Sequence, residues 1–427
     1  MDGNEGHRAR IIDRELDELL AGLPAIALEG AKAVGKTVTA SARAATIHEL
    51  DDPAQRLIAE ADPARLLTDP PPILIDEWQL VPPVWDRVRR AVDADRSPGR
   101  FLMTGSSSSV ARGTHSGAGR IVTLRMRPLS LAERLDTPPS VSIGELLLGK
   151  RTPVEGRTDI TLADYTAEIL QSGFPGWRGI PERALRTQLD AYLRRVVDRD
   201  FPELGHTVRN PTTLMRWLAA YAAATATTTS LEKIRAAAAG RAQEPPAKTT
   251  ALAYRDVLER LFILDGLPGW WPSRNHLGSL ALAPKHHMAD PALAARLLGA
   301  NRRNLLKGES PGPIIPRDGT LLGALFESLV AMSVRIYAQA SEASVRHLRT
   351  NGGRHEIDLI IEGLDGRVLA LEVKLGSAPR DTDVKHLRWL AAEIGEDLLD
   401  AVLVTTGPAA YRREDGIAVV PAALLGP

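Results

Sequence analysis

Cysteine is absent from the 427 residues. That excludes disulfides, thiolate metal sites, iron–sulfur clusters and a cysteine nucleophile. Aromatic residues are scarce at 4%, so leucine, valine, isoleucine and alanine must fill the interior. No charge sign dominates: lysine plus arginine and aspartate plus glutamate stand at 53 each. No global positive field points to nucleic acid, which leaves a local patch as the means of binding it. The opening MDGNEGHRAR lacks the basic-then-apolar pattern of a secretory signal. No apolar run reaches the ~18–20 residues of a membrane span. The alanine-rich stretch 218–227 is too short and too rich in threonine. These absences lead us to expect a soluble, cytoplasmic protein without a membrane segment.

What is present fits a globular chain, at 44% hydrophobic and 25% charged residues, long enough for two or three domains. Residues 1–135 alternate helical stretches with the apolar runs AIALE (25–29), ILID (73–76), FLMTG (101–105) and IVTL (121–124), the pattern of a parallel α/β sheet. Proline, threonine and glycine over 136–160 suit a linker. Residues 161–315 read as mostly helical, with Asp290, Pro291 and Gly299 punctuating one short helix. Within them, 210–265 reads helix, turn, helix, then a long helix with Lys248, Thr249, Thr250, Tyr254 and Arg255 near its start. Its buried face would be Leu252, Val257, Leu258, Leu261 and Phe262. Two readings stand: a winged-helix unit presenting those side chains to DNA, or a helical lid. Residues 316–427 open with a long apolar helix, followed by three strand-like runs joined by NGGR and GLDG turns, then a helix and two more apolar runs.

Residues 30–37 read GAKAVGKT: Gly30, Ala31, Lys32, Ala33, Val34, Gly35, Lys36 and Thr37, with Val38 following. After an apolar strand and before a helical stretch, this is the pattern of a phosphate-binding loop. Small residues let backbone amides curl around phosphate. Lys36 is placed to reach the β- and γ-phosphates, and Thr37 to ligate magnesium. The strand ILID ends in Asp76, placed to hold that magnesium, with Glu77 next to it to polarise an attacking water. FLMTGSS ends in hydroxyls, of which Thr104 or Ser106 could sense the γ-phosphate. Arg120, just before IVTL, is the candidate finger for a neighbouring subunit's nucleotide, with Arg112 as its competitor. A finger acting in trans implies a homo-oligomer.

A second pattern lies near the other end. In LALEVKLG (369–376), Glu372 and Lys374 alternate with Leu371, Val373 and Leu375. Residues two apart in a strand share a face. Glu356 and Asp358 share a face of the preceding strand, and Asp358 precedes Glu372 by fourteen positions across one hairpin. Glu327, in the long helix upstream, can approach from one side. His355 and His386 flank the set and read as surface histidines.

Two resemblances follow. GAKAVGKT, LIDEW, FLMTGSS, MRPLSLAE, SGFPG, ADPALAARLL, LFESL, EIDLII and LEVK together resemble one family of prokaryotic AAA-type P-loop ATPases with a C-terminal domain of unknown function. Glu327, Asp358, Glu372 and Lys374 resemble the metal-and-lysine set of PD-(D/E)xK nucleases. The resemblance implies an α/β chain: an AAA-type core, a helical middle and a C-terminal restriction-endonuclease-like domain. It also implies ATP and Mg2+ as cofactors, Asp358 and Glu372 as carboxylate ligands of a second magnesium, and DNA or RNA as a partner. Two functions stay open: an ATPase acting on nucleic acid through a nuclease, or an ATP-gated regulator whose nuclease-like domain binds without cutting.

Overall fold

The computed structural model describes residues 8–106, 117–205, 210–239, 244–272, 282–315 and 319–427. Two compact units divide the chain. The first comprises residues 1–128 with 174–176 and 260–262, and the second 129–173, 177–259 and 263–427.

In the first unit, β1 (Ala25–Glu29), β2 (Thr46–Glu49), β3 (Ile73–Asp76), β4 (Phe101–Gly105) and β5 (Val122–Arg125) form one sheet in the order β2-β3-β4-β1-β5. Every pairing is parallel. β1, β3 and β4 are buried at every position, as central strands of a parallel sheet covered on both faces must be. β2 was not foreseen: its sequence TIHE alternates half-buried and exposed positions and has no apolar run to mark it. The last strand begins one residue later than expected. Helix Ile12–Leu20 precedes β1, and helices Lys36–Ser41, Pro53–Ala61 and Pro83–Ala94 connect the strands. The last of these packs Val84, Val88 and Val92 beside Phe101 and Met103, with the rings of Trp78 and Trp85 tilted against each other at 4.6 Å between centres. Burying each such aliphatic side chain contributes ~1.5–3 kcal/mol. Because β1 lies between β4 and β5, the strand order reverses beside it, and the crevice at the strands' carboxyl ends is where a parallel sheet holds a ligand.

The stretch expected to be a linker lies inside the second unit, which begins at residue 129. Residues 136–160 are built into it: β6 (Val141–Ser142), helix Ile143–Leu147 and β7 (Gly156–Arg157). Strands only two residues long leave no periodicity to read. Helices Leu162–Gln171, Glu182–Arg195, Pro211–Ala223, Leu231–Ala237, Lys248–Arg260 and Pro291–Leu297 follow. Asp290 caps the last of them as expected, accepting from Ala292 N at 2.7 Å, and it also accepts from Gly173 N at 2.6 Å. Tyr254, expected on a presented face, is buried instead, edge-on to Phe201 and Trp217.

The sheet of this unit runs β7-β13-β14-β12-β11-β10-β9-β8. It takes in β8 (Gly269–Trp270), β9 (Ser344–Arg349), β10 (Glu356–Glu362), β11 (Val368–Val373), β12 (Leu398–Thr405), β13 (Ala409–Arg412) and β14 (Ala418–Pro421), while β15 (Leu425–Gly426) pairs with β6. β9, β10 and β11 are antiparallel and joined by the two expected turns; β12 then runs parallel to β11. Helix Lys385–Ile394 packs Leu387 and Leu390 over Ile357, Ile360 and Ala370. Helix Leu321–Gln339 is long and apolar enough to cross a membrane by length and composition, contrary to the expectation from its sequence, and most of it is buried inside the protein.

Candidate functional site

The phosphate-loop sequence forms a tight turn at the carboxyl end of β1. Ala33 and Gly35 adopt left-handed φ of 69° and 101°, which lets the backbone double back before helix Lys36–Ser41. Gly30 cannot be larger: a Cβ there would lie 2.2 Å from the Met126 carbonyl oxygen. Ala31 and Val34 face the interior, while Ala33 and Val38 are exposed and Lys32 half-buried. Lys36 is buried and donates to the carbonyls of Gly30 (2.9 Å) and Ala31 (3.0 Å). Burial pushes its ammonium down to about 8, against the opposing pull of Glu77 and Asp76.

Across 39 residues of sequence, the Thr37 hydroxyl lies 3.0 Å from both carboxylate oxygens of Asp76. Thr104 also donates to Asp76. Glu77 adopts a left-handed φ of 52°, uncommon for a residue with a side chain, and its carboxylate accepts from Ser106 Oγ at 3.1 Å. Gln79 reaches the same carboxylate oxygen and lies 3.2 Å from Ser106 Oγ. No sequence signal marked Gln79, nor Arg10, whose guanidinium ties Val34 O of the loop (2.9 Å) to Arg127 O (2.8 Å). At the same end of the sheet Arg125 stacks on Phe262 at 3.9 Å.

The first unit thus brings Lys36, Thr37, Asp76, Glu77, Thr104 and Ser106 together. It leaves Arg120 apart, at the start of β5, where it donates to Asp93 at 2.8 Å. Arg112 lies outside the described residues. A magnesium ion fits this donor set: a hydroxyl and a carboxylate converge on one point, and a hard cation takes oxygen ligands.

The second cluster is held within the second unit. A bulge between Ile357 and Ile360 interrupts the β9–β10 ladder, and such an extra residue re-aims a side chain. Asp358 sits in it, and the register Leu359↔Leu371, carried one step further, sets it opposite Glu372. Asp358 and Glu372 are both buried, so these charges do not form a solvated face. Asp358 Oδ2 accepts from Val373 N at 2.9 Å, and Lys374 Nζ donates to Glu372 Oε1 at 2.6 Å. Glu327 enters from helix Leu321–Gln339.

The cation that joins Glu327 to Asp358 is Lys285, which sequence reasoning missed. Its ammonium lies 2.8 Å from Glu327 Oε1 and 2.9 Å from Asp358 Oδ1. Burial works against this ammonium, but Asp358, Glu327 and Glu356 outweigh it and raise its pKa well above the ordinary value. Burial, then Asp358, pushes Glu327 and Glu372 up to about 8. Burial also works to raise Asp358, yet Lys285, Lys374 and the Val373 amide hold it below its usual range. Magnesium does not fit this cluster as it stands. Both oxygens of Asp358 and one each of Glu327 and Glu372 are engaged by nitrogen donors; Glu372 Oε2 is buried with no hydrogen-bond partner. Among the described residues no group of three or more acidic or histidine side chains is arranged to hold a metal. His355 lies flat on Trp389 at 4.0 Å and against His386.

Residues 23–135 match the family model of an AAA domain. Residues 162–304 and 322–425 match two further models, each described as a domain of unknown function. Uncharacterized proteins of Mycobacterium bovis and Mycobacterium tuberculosis are each 26% identical over 410 residues, covering 93% of this chain and 80% of theirs. Among solved structures, a Walker-type ATPase of Pyrococcus abyssi is similar at 15% identity and a TM-score of 0.37, over 67% of this chain and 94% of that one. The stretch similar to AAA domains contains the phosphate loop, Asp76, Glu77 and Thr104.

Proposed function

We propose that the first unit binds ATP with magnesium and hydrolyses it. The observation that carries this reading is the Thr37 hydroxyl at 3.0 Å from both oxygens of Asp76, beside a buried lysine and a loop whose glycine admits no side chain. Lys36, now on two loop carbonyls, would turn its charge to the β- and γ-phosphates. Thr37 and Asp76 would hold the magnesium, which neutralises phosphate charge when bound. Glu77, fixed by Ser106 and Gln79, orients and deprotonates the attacking water. Thr104, bonded to Asp76, or Ser106, bonded to Glu77, would sense the γ-phosphate. Calorimetric titration with ATP tests this: magnesium should strengthen binding in the wild type and much less in Asp76→Asn. Binding that ignores both magnesium and Asp76 would remove the assignment.

For the second unit we propose a nuclease-like fold with DNA or RNA as partner. Support comes from the helix, three antiparallel strands, helix and parallel strand in sequence, and from the convergence of Glu327, Asp358, Glu372 and Lys374. Anisotropy of a labelled duplex should rise on adding the chain and fall steeply with salt; a flat titration at low salt counts against a nucleic-acid partner. We further propose a homo-oligomer, in which Arg120 would leave Asp93 to meet a neighbour's nucleotide.

A further inference from the structure

The carboxylates of the second unit already surround a cation. Lys285 Nζ lies 2.8 Å from Glu327, 2.9 Å from Asp358 and 3.3 Å from Glu356. An ammonium has three donors, and here three carboxylates from one helix and one strand face them. The side chain is 1% exposed. Its backbone is pinned as well: Lys285 and Leu267 exchange both N–H···O bonds, at 2.9 and 2.8 Å. This lysine is therefore held in the cluster from both ends and does not lean in from a surface.

We propose that Lys285 is the resident cation of this cluster and excludes divalent metal from it, so that the second unit carries a nuclease-like charge set locked against metal-dependent cleavage. Position is the first argument. Magnesium needs oxygens near 2.0–2.1 Å in octahedral array, and Glu327 and Asp358 would first have to release the ammonium, which would then stand beside a dication. Charge balance is the second. Glu327, Glu356, Asp358 and Glu372 are faced by Lys285, Lys374 and Arg349, the last bound to Glu356. Counted with all four carboxylates ionised, the state a bound dication would require, one negative charge is left over with Lys285 present and two without it, the complement of a dication. Rearrangement is the third. Removing one partner of a buried ion pair leaves an uncompensated charge, so the lysine does not withdraw without something to replace it. The inference concerns metal alone and stands whether or not the domain meets nucleic acid.

The test uses the full chain free of nucleotide, with Mn2+ as the probe and free Mn2+ followed by electron paramagnetic resonance. Wild type, Asp358→Asn, Lys285→Met and the double variant Lys285→Met/Asp358→Asn are compared, so that any manganese held by the first unit is common to all four. Lys285→Met should gain one site in this cluster, tighter than the wild-type cluster offers by on the order of a hundredfold or more, given the size of one unit charge a few ångströms away in a partly buried place. The double variant should lose that site. A wild-type manganese site that Asp358→Asn abolishes would overturn the proposal, and so would a folded Lys285→Met chain that gains nothing. Should Lys285→Met not fold, unfolding midpoints of wild type and Asp358→Asn decide. Manganese should leave their difference unchanged; a stabilisation present in the wild type and absent in Asp358→Asn refutes the lock.

Discussion

Lys36 offers a test that turns on a proton. Burial holds its ammonium down to about 8 in the nucleotide-free protein, and bound phosphate would favour the charged form and raise that value. ATP affinity should then fall as pH rises through 8, because a neutral lysine must take up a proton to bind. With a free-state value of about 8, the expected weakening between pH 7 and pH 9 is about tenfold. The phosphate groups do not confuse the reading, since a phosphate monoester loses its second proton near pH 6. The stability of the nucleotide-free chain runs the other way. Its folded-state value lies below the ordinary 10.5, so between about 8 and 10.5 the unfolded chain binds more protons and this group's contribution to stability rises with pH. Lys36→Met removes a charge worth, at ~4 Å and moderate screening, on the order of a thousandfold in affinity, and it also removes the pH slope. Calorimetry across pH, in buffers of different ionisation heat, measures affinity and proton uptake together. An affinity constant from pH 7 to 9, or an equal slope in Lys36→Met, would refute the reasoning.

Glu77→Gln should keep ATP affinity within about twofold while phosphate release slows by roughly a hundredfold or more, the usual scale of a positioned base; turnover near wild type would reassign that role. Gly30→Ala forces a methyl group against the Met126 carbonyl, 2.2 Å away, and should cost about 1–3 kcal/mol, read as a lower unfolding midpoint together with lost nucleotide binding. An unchanged midpoint would mean that the loop relaxes freely. Arg120→Ala should bind ATP normally and hydrolyse it slowly, with wild-type turnover per chain rising with protein concentration; concentration-independent turnover in a chain that sediments as a monomer with ATP argues against a finger from a neighbour.

What could be read in the sequence was what has a local cause. β1, β3 and β4 announce themselves as apolar runs because both faces of a central parallel strand are buried. Asp290 and Pro291 mark a helix start because capping is decided within three residues. Strand parity set Asp358 and Glu372 on one face, and the register of β10 against β11 sets them opposite each other. What could not be read depends on distant chain. Lys285 sits in PKHHMAD, where nothing in its neighbours shows that three carboxylates forty to seventy residues onward will meet it. Tyr254 has a hydroxyl that suits a presented face, yet its ring fills a gap beside Trp217. β6 and β7 exist only because β15 and β13 lie beside them. Gln79 acquires its place from the left-handed turn at Glu77, which no residue type announces.

The central claim is that the phosphate loop, Asp76 and Glu77 form a working magnesium-dependent ATP hydrolysis site. Phosphate release from ATP by wild type and Lys36→Ala, each with magnesium and with the metal chelated, tests it most directly. Steady turnover is expected from the wild type with magnesium, and turnover at background in the three other arms. Equal turnover in Lys36→Ala, or turnover that survives chelation, would contradict it.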